Sequence, residues 1–224
     1  MNRLAEIVAA LERGSVLVET PDLHTWPEIT GLTADSRKVT AGMLYCAVTG
    51  SVQDGHRFVA DARQHGAVAA LVEREQPVDL PQILVRDGRR AAALAAEAWY
   101  GRPAARLDLV GVTGTNGKTT SVTLLRHVLS ALEPTGSVGT LGAFAPDGAP
   151  VASEAGNLTT PGPIDLQATL AALVERAYAD TPRDLWGYAE RSLLAHLLKL
   201  EGEGRAARVT GAGGAPERWR RAGA

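Results

Sequence analysis

The chain has 224 residues, of which 45% are hydrophobic and 21% charged, and its formal net charge is -2. This composition is typical of one large or two small globular domains, and it excludes a disordered chain or a coiled coil. A near-neutral charge gives no general attraction to nucleic acid or to an anionic membrane, so we expect neither as a partner. The single cysteine, Cys46, excludes an internal disulfide and indicates a reducing, cytoplasmic setting, where it lies in the core as an inert thiol.

Helical and strand patterns alternate through the first hundred residues, which predicts an α/β fold. Helices are predicted at about 4–13, 56–65 and 89–100, and strands at about 29–33, 43–48, 67–72 and 83–85. No stretch has the roughly 18 to 20 apolar residues of a membrane span. The third helix is interrupted by Gly101 and Pro103, which predicts a domain boundary near residue 105.

A glycine-rich loop follows an apolar run, Leu107 to Val112, that is typical of a strand. The loop precedes a helical pattern that extends to Leu129, and it reads Gly114-Thr115-Asn116-Gly117-Lys118-Thr119-Thr120. Glycines let backbone N–H groups turn toward phosphate oxygens, and the helix dipole adds positive charge. We therefore expect Lys118 to reach the terminal phosphates of a nucleotide and the Thr119 hydroxyl to coordinate Mg²⁺.

The sheet around this loop is expected to be mostly parallel, with the loop at the carboxyl end of strand 107–112. Downstream, the pattern predicts a strand at 137–140, a turn at 146–148 and a helix at 163–178. The five histidines have no spacing typical of a metal site, and we expect them on the surface or on helices.

Three blocks of sequence resemble the Mur ligase family, in particular its MurE-type members, which add an amino acid to UDP-N-acetylmuramoyl-L-alanyl-D-glutamate. The blocks are Thr33-Ala-Asp-Ser-Arg37 with Asp54-Gly-His-Arg-Phe58, the loop 114–120, and Asn157-Leu-Thr-Thr-Pro-Gly162. The likeness covers about residues 28 to 176. It implies a UDP-sugar-binding domain over 1–105 and the first part of a central ATP-binding domain over 106–178.

The resemblance also implies roles for individual residues. Gly114 to Thr120 would hold ATP, with Lys118 and Thr119 as catalytic residues and Thr119 on Mg²⁺. The UDP-sugar substrate would be held by Ala34, Ser36, Ser51, Val52, Gln53, Asn157, Thr159 and Thr160.

The implied activity is an ATP-dependent carbon–nitrogen ligase of peptidoglycan biosynthesis, and so of cell-wall formation, cell shape and cell division. The resemblance implies a cytoplasmic, monomeric protein, and it leaves open whether diaminopimelate or lysine is added. One alternative is a non-catalytic module that binds UDP-muramoyl peptide or nucleotide. Another is a ligase like folylpolyglutamate synthase, against which Asp35-Ser36-Arg37 and Thr159-Thr160-Pro161 argue.

Family members continue with an acidic Mg²⁺ ligand, a carbamylated lysine and a domain for the amino acid, and we find no counterpart of these here. We therefore expect a truncated chain, the front part of a ligase, with little or no ligation activity. The sequence pattern changes in residues 179–224, as it would in a fused or frameshifted reading frame. They resemble the winged-helix-like appendage of metallo-β-lactamase-fold hydrolases, and a plain amphipathic helix over about 186–200 is the alternative.

Overall fold

The computed structural model describes residues 2–22, 24–50, 53–151, 161–177, 206–209 and 218–221. The chain divides into two compact units, Met1–Ala177 and Tyr178–Ala224. Within the described ranges, no helix is both long and apolar enough to span a membrane. The domain boundary near residue 105 stays a prediction.

The first unit begins with alternating helices and short strands. In chain order they are α1 (Arg3–Arg13), β1 (Leu17–Glu19), β2 (Gly31–Thr33), β3 (Met43–Cys46), α2 (Val59–Gln64), β4 (Ala69–Val72), β5 (Gln82–Val85) and α3 (Gly88–Trp99). Short 3₁₀ helices occupy Ser36–Lys38, Gly55–Phe58 and Pro103–Arg106. The predicted helices and strands of this part are therefore confirmed, with ends that move by a few residues.

These strands form one five-stranded sheet in the order β1-β5-β4-β3-β2. Strands β2 to β5 are parallel, with Leu44 opposite Ala69 and Leu71 opposite Ile83, and β1 joins the β5 edge antiparallel. All four residues of β4 are buried. This matches a parallel sheet that is covered on both faces, where strands are continuous apolar runs.

Helices cover the two faces of the sheet. On one face α1 and α3 pack together with the strands, and the shared core is made of Leu4, Ile7, Leu11, Leu71, Ile83, Ala91, Ala92, Ala95 and Ala96. On the other face α2 contributes Val59 and Ala62 to a core with Tyr45 and Val72. Alanines along α3 let α1 approach closely, because their side chains are short.

The apolar run after residue 106 does not form the predicted strand. Residues 107–113 carry neither helix nor strand, and Leu109 and Val110 are 58% and 70% exposed. A parallel strand depends on neighbours at both edges and helices on both faces. No strand of the described ranges pairs with this run, so the prediction of a strand here is wrong.

The rest of the first unit contains α4 (Lys118–Leu129), β6 (Ser137–Gly139), β7 (Gly142–Phe144), β8 (Pro150–Val151) and α5 (Pro163–Ala177). The sheet β6-β7-β8 is antiparallel, which differs from the parallel sheet expected beside the glycine-rich loop. Its core is Ala143, Ala145, Val151, Leu170 and Leu173. Helix α5 also contacts α3, so this segment packs on the first sheet's helical layer. The α/β class with a mostly parallel sheet is confirmed, and that sheet lies in residues 17–85.

In the second unit, β9 (Ala206–Val209) and β10 (Arg218–Arg221) form an antiparallel hairpin. Arg218 lies opposite Val209, and Arg221 opposite Ala206. The helix predicted over about 186–200 lies outside the described residues.

Candidate functional site

The carboxyl ends of the four parallel strands meet at one edge of the first sheet. Residues 34–38 follow β2, residues 47–54 follow β3, Glu73 follows β4, and Asp87 follows β5. Open α/β sheets bind ligands at this edge. The structure therefore places Ala34, Ser36 and Gln53, three of the predicted uridine contacts, on neighbouring loops.

The first of these loops is held by Asp35 and Arg37. The Asp35 carboxylate accepts hydrogen bonds from the Arg37 backbone N–H at 3.1 Å and from its Nε and Nη2 at 2.9 and 2.8 Å. The Arg37 side-chain hydrogen bonds hold the pKa of Asp35 below its usual value. Ser36 begins the 3₁₀ helix between the two charged residues, so its backbone is fixed locally.

The second loop, residues 49–54, is closed by hydrogen bonds across its neck. Thr49 and Asp54 form a β-bridge, and the Gly50 N–H donates to the Gln53 carbonyl at 2.9 Å. The Gly55 N–H donates to the Val48 carbonyl at 3.0 Å. Two further residues that the resemblance assigns to the substrate, Ser51 and Val52, lie outside the described residues.

His56 is buried beneath this loop, with 2% of its surface exposed. Its Nε2 accepts the Glu73 backbone N–H at 2.8 Å, so Nδ1 carries the proton and donates to Asp54 Oδ1 at 2.7 Å. Hydrogen bonds from the backbone and ring of His56, and from Arg74, hold the pKa of Asp54 far below its usual range. His56 lies in the 3₁₀ helix Gly55–Phe58, as expected of a helix histidine, and there it is buried and hydrogen-bonded through both ring nitrogens.

The glycine-rich loop turns into α4 as the sequence predicts. Gly114 and Gly117 have φ of +142° and +77°, a region that side chains disfavour. No side chain caps the first turn of α4, so its N–H groups point out of the helix end without a capping partner. This combination fits a phosphate group.

Lys118 lies across the same loop. Its Nζ donates to the Gly114 carbonyl at 2.6 Å and to the Thr115 carbonyl at 3.3 Å. The ammonium group thus covers the turn where a phosphate would lie. The other loop residues of the prediction, Asn116, Thr119 and Thr120, are exposed.

A cavity of about 730 Å³ lies between this loop, α4 and the β6–β7 hairpin. Its lining includes Gly114, Lys118, Thr119, Arg126 and His127. That volume falls within the usual range for a bound small molecule or cofactor. Among the residues described, no group of three or more His, Cys, Asp or Glu side chains is arranged to hold a metal ion.

Two groups of predicted residues are thus placed by the structure, one at the sheet edge and one at the glycine-rich loop. Asn157, Thr159 and Thr160 lie outside the described residues. Cys46 is fully buried, and burial raises the pKa of its thiol to about 12, as expected for an inert core residue. Sequence reasoning missed the contact between His56 and Glu73, because these residues are 17 positions apart.

Comparison with family models assigns most of the chain. Residues 28–107 match the Mur ligase family catalytic domain, and residues 112–179 match the Mur ligase middle domain. A third match, to the beta-lactamase associated winged helix domain, covers residues 169–219 and overlaps the second. The fold and the site define an α/β protein with a glycine-rich loop of the phosphate-binding kind. Residues 28–179 belong to the Mur ligase family, as the resemblance implied.

Individual relatives point to one branch of that family. The UDP-N-acetylmuramoyl-L-alanyl-D-glutamate--2,6-diaminopimelate ligase of Geobacillus kaustophilus is 41% identical over 150 residues, covering 66% of this chain and 30% of the relative. The same enzyme of Solibacter usitatus is 53% identical over 106 residues, 46% of this chain and 22% of the relative. The chain therefore spans less than a third of the length of these relatives.

Solved structures give the same fold. A structure of UDP-N-acetylmuramoyl-L-alanyl-D-glutamate--2,6-diaminopimelate ligase has a TM-score of 0.55 at 25% identity and covers 71% of this chain and 32% of that chain. MurF from Acinetobacter baumannii has a TM-score of 0.51 at 24% identity and covers 77% of this chain and 33% of that chain. The second likeness shows the fold alone.

Proposed function

We propose that this chain carries the UDP-sugar-binding and ATP-binding parts of a MurE-type ligase of peptidoglycan biosynthesis. The reaction is the ATP-dependent addition of an amino acid to UDP-N-acetylmuramoyl-L-alanyl-D-glutamate in the cytoplasm, by a monomer. One observation carries the proposal: a relative named for this reaction matches 41% of 150 residues. The sheet-edge loops, which carry Ala34, Ser36 and Gln53, and the glycine-rich loop before α4 support it.

In this reaction ATP phosphorylates the substrate carboxylate, and the incoming amine attacks the resulting acyl phosphate. The protein contributes mainly by positioning and by neutralising phosphoryl charge. The backbone of Ala34, with Ser36 and Gln53, holds the uridine at the sheet edge. The first turn of α4 holds the ATP phosphates, and Lys118 exchanges its carbonyl partners for their oxygens.

Magnesium fits this site through the Thr119 hydroxyl, which lies in the first turn of α4 at the cavity wall. Mg²⁺ uses few protein ligands and takes others from phosphate and water. When bound, it would supply positive charge that offsets the negative charge of the phosphates. In the proposal, Asn157, Thr159 and Thr160 donate to the UDP-sugar.

The second candidate is a module that binds UDP-muramoyl peptide or nucleotide without ligation. It is favoured by the absence of paired strands on either side of residues 107–113 within the described part of the chain. A catalytic centre needs a rigid support for its phosphate loop.

Phosphate release separates these functions. The purified chain is given Mg-ATP and UDP-N-acetylmuramoyl-L-alanyl-D-glutamate with diaminopimelate or lysine, and the muramoyl product is measured by mass. Amino-acid-dependent phosphate and a product heavier by one residue support the ligase. Binding of both ligands without turnover supports the module. In a parallel reaction that contains Mg-ATP, a folate and glutamate, addition of glutamate to the folate supports a folylpolyglutamate-type enzyme. Lys118→Ala is the matched control for contaminating ATPases.

A further inference from the structure

Glu73 makes three hydrogen bonds at the sheet edge, through its backbone N–H and both carboxylate oxygens. It directly follows β4, the strand that lies between β3 and β5. Its backbone N–H donates to His56 Nε2 at 2.8 Å. Its carboxylate accepts the Thr49 hydroxyl at 2.9 Å through Oε2 and the Gly88 backbone N–H at 2.7 Å through Oε1.

The two carboxylate contacts join a rigid element to an exposed loop. Gly88 is the buried first residue of α3, whereas Thr49 is exposed and begins the loop 49–54. A Cβ on residue 88 would lie 2.9 Å from the Ala47 carbonyl oxygen and 3.2 Å from Glu73 Oε1. Glycine at this position therefore allows the carboxylate to approach the helix end.

The other end of the loop reaches the same residue by a second route. Asp54 binds the His56 ring and pairs with Arg74, and the His56 ring in turn accepts the Glu73 N–H. Glu73 thus holds Thr49 with its side chain and Asp54 through His56. Gln53 directly precedes the second of these two anchors.

We propose that Glu73 is a positioning residue that fixes the two ends of this loop, Thr49 and Gln53–Asp54, in the arrangement that binds the uridine diphosphate part of the substrate. This inference rests on the proposed function of the loop. A carboxylate that only lay near a diphosphate would repel it, so its removal would strengthen binding. A positioning carboxylate has the opposite effect, because its loss leaves the loop to be ordered by the ligand.

The test measures affinity of the full chain for UDP-N-acetylmuramoyl-L-alanyl-D-glutamate by calorimetry. We expect Glu73→Ala to raise Kd about five- to tenfold, and Thr49→Val about two- to fivefold, each by loss of a hydrogen bond that orders the loop. The double variant should match Glu73→Ala, since both changes remove the same contact. Glu73→Gln keeps an acceptor for Gly88 and should restore most of the affinity. Glu75→Ala removes an exposed carboxylate two residues away and should have no effect.

Hydrogen exchange gives a readout that needs no ligand. In Glu73→Ala the amides of Gly50 and Gly55, which close the loop, should exchange faster, while those of β3 and β4 stay protected. Should the wild-type chain fail to bind the UDP-sugar, the proposed function fails, and this exchange pattern still supports or overturns the role of Glu73. Unchanged exchange, unchanged or tighter binding of the Glu73→Ala variant, or additive effects of the two substitutions would overturn it.

Discussion

At the scale of single residues, Lys118 has partners that a nucleotide would replace. Its ammonium group donates to the carbonyls of Gly114 and Thr115. Carbonyl oxygens are weaker partners for an ammonium group than phosphate oxygens, because only the phosphate adds the attraction between two full opposite charges. We expect Lys118→Ala to raise the Kd of Mg-ATP at least tenfold in calorimetry. Lys38→Ala, which removes a cation outside the glycine-rich loop, should leave the Kd unchanged, and equal affinities of the Lys118 variant and the wild type would reject the role.

A substitution at Thr119 separates the contribution of Mg²⁺ to ATP binding from that of the phosphate contacts. Its hydroxyl is assigned to Mg²⁺, so Thr119→Val should weaken ATP binding when Mg²⁺ is present and have little effect when EDTA has removed it. Thr123→Val is the matched control, because Thr123 lines the same cavity one turn later and donates to the Thr119 carbonyl. Equal losses with and without Mg²⁺ would contradict this division of roles.

Asp54 makes stability depend on pH. Hydrogen bonds from His56 and Arg74 hold the pKa of its carboxyl well below the usual value of about 4. A carboxyl whose pKa is lower in the native than in the unfolded state stabilises the fold at pH values above the unfolded-state pKa. This stabilisation is lost as the pH falls through the native-state pKa. Asp54→Asn should therefore be less stable than the wild type in urea unfolding at pH 7, with a gap that narrows steadily below about pH 4. A gap that stays constant to pH 2, or an equal effect of Asp79→Asn, would exclude the Asp54 network as its source.

At the scale of elements, sequence patterns correctly predicted the helices and turns that are stabilised by contacts between nearby residues. The apolar spacing of α1 and the stop at Gly14 hold in the structure, because Leu4, Ile7 and Leu11 are buried and Gly14 is the C-cap. The mainly apolar run 107–112 predicted a strand, but the partners with which a strand pairs come from other segments of the chain. The glycine-rich loop 114–120 could be predicted for the same reason as α1, because the residues that form it are neighbours in the sequence. The contacts of Glu73 were not, since its partners Thr49 and Gly88 are 24 and 15 positions away.

Replacing a leucine by alanine is expected to lower the free energy of unfolding much more in α1 than in α4. Leu11 in α1 is fully buried, whereas Leu124 in α4 is 59% exposed. Leu11→Ala should lower the free energy of unfolding by about 2 to 5 kcal/mol, through lost burial and a cavity between α1, α3 and the sheet. Leu124→Ala should change it by no more than about 0.5 kcal/mol. Urea unfolding of both variants measures the difference, and a large loss for Leu124→Ala would show that α4 buries this face in the folded protein.

At the scale of the whole molecule, burial is uneven along the first unit. Each helix around the first sheet contributes core residues, and α5 buries Leu170, Leu173 and Val174 and contacts α3. In contrast, α4 has no buried residue, and the segment before it is exposed at Leu109 and Val110. Few buried contacts mean a small free energy for local opening. Among the described residues of this unit, the stretch from about residue 107 to 133 is therefore expected to open most easily.

Limited proteolysis measures this difference directly. Within residues 1–177, we expect trypsin to cut first after Lys118 and Arg126, both in α4, while Met1 to Arg106 resists as one fragment. Cleavage needs local unfolding of the helix, and opening of α4 exposes little core. Mg-ATP should slow the cut after Lys118 more than the cut after Arg126, since the nucleotide binds only the folded loop, and Lys38→Ala should not alter the pattern. First cuts after Arg63 or Arg90 instead would place the weakest point in the first sheet, and equal protection of both α4 sites without nucleotide would show that α4 is as firmly held as α1.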